Sequence, residues 1–374
     1  MKKVTLQHVL GNKILEYDVD DRGVIIDERE KDRYAKQVDT KEQKIKKFIE
    51  EHIVFHYDVK KQGATNETLK ESAYLQDLSG KGRRMKLNNF LFDMMSGVDG
   101  YKNEAFVKVN GVIDIRFDHI NGRQIKGKPA QDWDKFGYYR AKNMVERIIY
   151  CKWHVEGILD DNKVYVAQYT AYDNRVELHN GDNYIELDTN QGKVGYNYIS
   201  VISDQPYSTD ITITQIPEYP GALVTDGVDD YGLVENLSSG AKMLFMTVNP
   251  MMLDRCLYDQ RFTSGWHFFA VITESNKVAY NAYNTKGKTY INGVLNESQT
   301  SNELQNEKQI ITIVNSNVNE TNSLSPNFFR IRGGGLRMKC AFYNSIAFDS
   351  IPTEADGFTE QELIDYVIDK YELK

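Results

Sequence analysis

The stretch TKEQKIKKFIEEHIVFHYD, residues 40–58, changes period in its middle. Its first half puts Ile45, Phe48 and Ile49 on one face at helical spacing, behind a capping box of Thr40 and Gln43. This predicts a short amphipathic helix. From Ile53 the period becomes two: Ile53, Phe55 and Tyr57 alternate with Val54, His56 and Asp58. Such alternation suits a strand, whose successive side chains point to opposite sheet faces.

Most of the chain downstream keeps that period. VYVAQYTAY (164–172), NYIEL (183–187), YNYISVI (196–202) and ITITQI (211–216) alternate, as do KMLFMTV (242–248), KTYINGVLNE (288–297), QIITIVN (309–315) and MKCAFYNSIAF (338–348). Asn, Asp and Gly turns punctuate them. Short strands about ten residues apart, without helices between, predict an antiparallel sandwich. Met85–Phe92 reads as a further strand and GATNETLKESAY (63–74) as a loop, while YYRAKNMVERIIYCKW (138–153) fits either helix or strand. At the far end Thr359 and Glu362 form a second capping box. Leu363, Val367 and Tyr371 follow as a stripe, with Ile364 and Ile368 beside it, so a closing helix is expected.

Residues 1–35 carry two short apolar runs around a turn, DVDDRG. With Asp18 as position 1 of a calcium loop, positions 5 and 12 would be Arg22 and Arg29, which offer no oxygen ligand. The turn is therefore a hairpin or a helix breaker.

Composition bounds the rest. A chain of 374 residues suggests two or three domains, and 41% apolar with 27% charged residues reads as globular. The 24 tyrosines and only 7 prolines fit a β-sandwich with a recognition surface. A formal charge of −8 with scattered Lys and Arg argues against nucleic acid and anionic membrane as partners. Two lysines open the chain, but His8, Gly11, Asn12 and Lys13 break up the apolar run a leader needs, so no secretory leader is read. Cys151, Cys256 and Cys340 are odd in number and far apart, which predicts reduced, buried thiols rather than a disulfide framework or zinc site.

Four segments carry a resemblance. TDGVDDYGLV (225–234) resembles the "FDGVDDYV" strand of laminin-G-like jelly rolls, and TYINGVLNE (289–297) their "lYvNGkl" hairpin. CAFYNSIAFDSIPT with the capped helix after it resembles their closing strand. HYDVKKQGATNE with YLQDLSGKGRRMKLNNFLFDMMSG resembles their opening strands. The resemblance implies a mostly β fold: a concanavalin A-like jelly-roll sandwich of residues 52–101 and 218–374. An inserted β-sandwich domain at 102–217 and an N-terminal segment with a short helix at 1–51, a docking element, complete it. The nested order resembles tail and fibre components of gut-bacterial, crAss-like phages. It implies a non-enzymatic, homo-oligomeric virion structural protein with other virion proteins as partners and host surface glycan adhesion as a further role. A bacterial carbohydrate-binding protein is the alternative, and a laminarinase-type glycoside hydrolase the third reading.

Candidate chemistry is sparse. The hydrolases of this fold need alternating carboxylates on one cleft strand. Glu354, Asp356 and Glu360 match that spacing, but Gly357 interrupts them and Glu360 opens a helix. His52 and His56 are four apart, but Ile53 stands where a zinc protease needs Glu, and period two puts both on one strand. Asp226, Asp229 and Asp230 either build a turn or bind calcium, and no other cofactor is indicated. Asp182, Glu186 and Asp188 with Asn183 form a second acidic cluster. Trp133, Phe136, Tyr138 and Tyr139 (in QDWDKFGYYR) offer ring faces beside acceptors, as a saccharide platform does, or anchor a core under a long loop.

Overall fold

The structure is a computed structural model. It describes residues 4–10, 13–19, 25–27, 36–37, 40–102, 106, 117–129, 139–140, 148–168, 171–188, 198–235, 237, 240–252, 255–260, 270–274, 277–280, 287–296, 307–315, 326–330 and 335–373. The fold is mostly β, in several antiparallel sheets, with three α-helices among the described residues.

An eight-stranded sheet runs in the order Val294–Asn296, Gly287–Ile291, Gln309–Asn315, Met243–Pro250, Cys340–Phe348, Leu223–Val224 and Gly97–Val98, and Ile53–Asp58 also pairs with Cys340–Phe348. A seven-stranded sheet holds Lys277–Tyr280, Ala270–Glu274, Arg255–Asp259, Asn327–Phe328, Tyr231–Val234, Met85–Asn88 and Tyr74–Leu75. The two share one apolar core, with Phe55, Leu244, Met246 and Phe342 from the first and Met85, Leu257, Tyr258 and Phe328 from the second.

The eight-stranded sheet is buried on both faces. Along Met243–Pro250 every residue is buried: Leu244, Met246 and Val248 face the sandwich core, while Met243 and Phe245 face two helices. Helix α1 (Lys41–His52) contributes Ile45, Phe48 and Ile49, and helix α3 (Glu360–Lys370) contributes Leu363, Ile364, Val367 and Ile368. Both expected capping boxes form. This explains why the central strands read as near-continuous apolar runs.

A bulge lets Cys340–Phe348 serve both faces. Thr247 pairs with Asn344 and Val248 with Phe342, which leaves Tyr343 as an extra residue. Before it, Cys340 and Phe342 point into the sandwich; after it, Ala347 does, while Ile346 and Phe348 meet the helices. Strict alternation would have put all the even residues on one face.

Two further sheets face each other between residues 117 and 215. One runs in the order Gly181–Asp188, Ile148–Glu156, Ile211–Gln215, Gln124–Gly127, Phe117–Asn121; the other in the order Tyr139–Arg140, Tyr198–Ser203, Val164–Gln168, Ala171–Leu178. Cys151, Trp153, Ile185 and Ile213 pack against Val164, Val166, Leu178 and Val201 in a core of their own. The ambiguous stretch 138–153 thus holds strand at both ends.

Several expectations are corrected. Val4–Leu10, Lys13–Val19, Ile25–Asp27 and Lys36–Gln37 form a four-stranded sheet, so the N-terminal segment is more than a short helix. The strands flanking residues 20–24, Lys13–Val19 and Ile25–Asp27, pair antiparallel, in line with the hairpin alternative. The supposed loop at 63–74 contains helix α2 (Asn66–Ser72), capped by Thr65 and Thr68. Only Leu69 in it is buried, so it left no apolar periodicity to read. The strand from Met85 stops at Asn88, where Asn89, Phe92 and Met94 take left-handed backbone. The Asn292–Gly293 hairpin turn forms as expected, with φ of 52° and 84°. No described helix is long and apolar enough to cross a membrane. All three cysteines are buried thiols outside any disulfide.

Candidate functional site

The Asp226 turn joins the two sheets of the larger sandwich, between Leu223–Val224 and Tyr231–Val234. Asp226 Oδ1 accepts the amides of Val228 (2.7 Å) and Asp229 (3.3 Å), a side-chain-closed turn. Gly227 sits at φ 78°, and a Cβ there would lie 2.8 Å from Met252 Sδ, so glycine is required twice over. Asp230 is fully buried. Its carboxylate accepts the Asp226 amide (2.9 Å) and the Ser96 hydroxyl (3.0 Å), and Ser96 Oγ accepts the Leu91 amide (2.9 Å). Asn89 Nδ2 donates to the Asp229 carbonyl (3.1 Å). The triad therefore clamps the turn onto the loop that precedes Gly97–Val98.

One ligand atom from each acid lies within 4.8 Å of the others. A hard cation needs ionised carboxylates. Burial, reinforced by the charges of Asp226 and Asp229, pushes Asp230 up to about 7. Turn building occupies the side chains of Asp226 and Asp230, while Asp229 enters the turn through its backbone amide and carbonyl.

Stability responds to this titration. The ordinary value for Asp230 is 3.8, so the folded chain holds an extra proton between about pH 4 and 7, and stability falls as pH rises through that window. Buried His56 works in the opposite sense. Burial lowers it from 6.5 to about 4, so stability rises with pH across that interval. Asp230→Asn removes the first effect and leaves the second. The variant's urea midpoint is expected to climb more steeply than the wild type's between pH 4 and 6.5, and equal slopes would contradict the buried-acid assignment.

The other sequence candidates scatter. Trp133, Phe136 and Tyr138 lie outside the described residues. Tyr139 begins a strand paired with Tyr198–Ser203, and its side chain is also outside them. His52 ends helix α1 with Nδ1 3.0 Å from Asp349 Oδ1, while His56 lies in the next strand, which corrects their placement on one strand. Glu354 and Asp356 form a 3-10 turn, and Asp356 accepts the Thr353 amide (2.7 Å), which lowers its titration. Glu360 accepts from Lys288 Nζ (3.1 Å) and the Tyr290 hydroxyl. Asp356 thus caps its own turn and Glu360 ties its helix to the strand Gly287–Ile291.

The second acidic cluster separates by face. Asn183 turns inward and clasps the His179 amide (2.8 Å) and carbonyl (2.7 Å) across the hairpin. Asp182 and Glu186 point outward with Tyr184 between them. Paired against them are Tyr150, Lys152 and His154: Tyr150 opposite Glu186, Lys152 opposite Tyr184, His154 opposite Asp182. Sequence reasoning missed this surface. Its signal, the alternation Tyr150, Lys152, His154, Glu156, begins in the stretch 138–153, read as helix or strand, and runs past its end.

Comparison with protein-family models, curated proteins and solved structures returns no match.

Proposed function

We propose that this chain is a non-enzymatic virion structural protein of a bacteriophage, of tail or fibre type, with an adhesive role toward host surface glycan. Its body is a concanavalin A-like, laminin-G-like jelly roll of residues 52–101 and 218–374, and residues 102–217 are an inserted second β-sandwich. One observation carries the reading. The four segments that resemble laminin-G-like strands, far apart in sequence, converge on one pair of facing sheets. Cys340–Phe348, from the closing segment, pairs on one edge with Ile53–Asp58 of the opening segment and with Leu223–Val224. Gly97–Val98 pairs with Leu223–Val224 and so joins the two ends of the intervening stretch, which supports an insertion.

Asp356 is tied to the Thr353 amide and Glu360 to Lys288 and Tyr290, local structural bonds that support a role without catalysis. Assembly would run through homo-oligomers and contacts to other virion proteins, in a particle built in the host cytoplasm. The outward tyrosine at 184 keeps a bacterial carbohydrate-binding protein as a second reading. Quantitative mass spectrometry of purified particles from a host carrying the gene separates the two. The chain is expected at a fixed ratio to the other structural proteins, and its absence from particles would contradict the virion reading.

A further inference from the structure

We infer that the outward face of the five-stranded sheet is a binding platform for a neutral glycan chain, centred on Tyr184. This site rests on the adhesive half of the proposed function.

Tyr184 is 72% exposed and Tyr150 39%, on adjacent strands whose register makes them diagonal neighbours. Diagonal neighbours sit about 7–8 Å apart, within reach of one ligand. An exposed tyrosine presents an apolar ring together with a hydroxyl, a combination suited to recognition. Beside them runs a row in register across the sheet: Asp182, His154, Thr214, Gln124. Asp182 Oδ1 lies 2.6 Å from His154 Nδ1, and Gln124 Nε2 donates to Thr214 Oγ1 at 3.0 Å. The row is preorganised by its own hydrogen bonds and leaves further donor and acceptor capacity toward solvent. Ring faces beside a fixed polar row suit a sugar, which has an apolar face and an edge of hydroxyls.

Charge selects among ligands. Lys152 Nζ is 2.7 Å from Glu218 and 5.8 Å from the centre of the Tyr184 ring, Lys102 Nζ is 5.0 Å from that of Tyr150, His154 is held by Asp182, and Lys126 is a further exposed cation. Glu156 and Glu186 stand exposed on the same face. A polyanion would meet net negative charge there. Neutral hydroxyls meet acceptors, so the occupant is a neutral oligosaccharide or polysaccharide.

The test is calorimetric titration of the full chain with linear hexasaccharides of β-1,3-glucan, β-1,4-glucan, β-1,4-mannan, β-1,4-xylan and α-1,4-glucan, with an alginate oligomer as the acidic contrast. Saturable binding to at least one neutral probe is expected. Tyr184→Ala should weaken it about tenfold or more at an unchanged melting temperature, while Tyr184→Phe keeps it. Failure of every neutral hexasaccharide to bind, tighter binding of alginate, or full affinity in Tyr184→Ala would overturn the site. Binding that survives Tyr184→Ala would leave the adhesive reading standing with another site. Tyr184-dependent binding by a chain absent from particles would leave the site standing and sink the virion reading.

Discussion

Phe328→Ala is expected to destabilise the larger sandwich by about 3–5 kcal/mol, the range for removing a large buried ring. Phe328 has no exposed surface. It comes from the seven-stranded sheet and meets Phe55 (5.9 Å between centroids), Tyr57 (6.1 Å) and Phe342 (5.7 Å) of the facing sheet, with Tyr258 at 5.0 Å and Phe329 at 5.8 Å. Most of these contacts are edge-on, each adding roughly 0.5–1.5 kcal/mol beyond burial. Truncation leaves a cavity that strands pinned by hydrogen bonds on both sides cannot collapse into. The measurement is hydrogen exchange in graded urea. Protection should fall in Ile53–Asp58 and Cys340–Phe348 but persist in Ile148–Glu156 and Gly181–Asp188, which surround a separate core. Equal loss in both would show that the two cores unfold as one.

Val367→Asp is the second large effect, again about 3–5 kcal/mol, the cost of an uncompensated buried charge. Val367 is fully buried among Phe48, Phe245, Phe348 and Leu363, where helix α3 covers the sheet's outer face. A carboxylate there finds no cation in its apolar cluster, so α3 should lift. Met243, Phe245, Ile346 and Phe348 would then be exposed. Binding of an environment-sensitive dye should rise sharply and solubility should drop. Asp369→Asn, on the exposed side of the same helix, should change stability by no more than about 0.5 kcal/mol. Unchanged dye binding in Val367→Asp would contradict the three-layer packing of helices, sheet and sheet.

These two residues mark what the sequence made legible. The stripe at Leu363 and Val367 and the alternation around Phe55 and Phe245 announced helix and strand through periodicity alone, and the Asn292–Gly293 turn through its residues. Which strand sits beside which was not legible from pattern, because period two marks a strand without naming its partner. The bulge at Tyr343 was invisible, because a single extra residue changes facing without changing composition. Helix α2 was missed because one buried leucine carries no period. The N-terminal sheet was missed because the apolar residues of its two seven-residue strands, Val4–Leu10 and Lys13–Val19, read only as short runs in a polar stretch.

The site divides in the same way. Asp226, Asp229 and Asp230 stood out as acids, and the turn-building roles of the Asp226 and Asp230 side chains follow from Asx chemistry. Tyr184 and Tyr150 each sat on an alternating stretch, but only strand register brought them together. The residues expected to stack on sugar, Trp133, Phe136 and Tyr138, lie outside the described residues.

The proposed mode of action is binding on a preformed β surface, without catalysis and without a metal. The direct measurement is binding of the purified chain to immobilised bacterial surface polysaccharides, with and without a calcium chelator, while new reducing ends are assayed. Saturable binding to at least one polysaccharide, unchanged by chelation and with no sugar released, is the expected result. Loss of binding on chelation, or release of reducing ends, would contradict it.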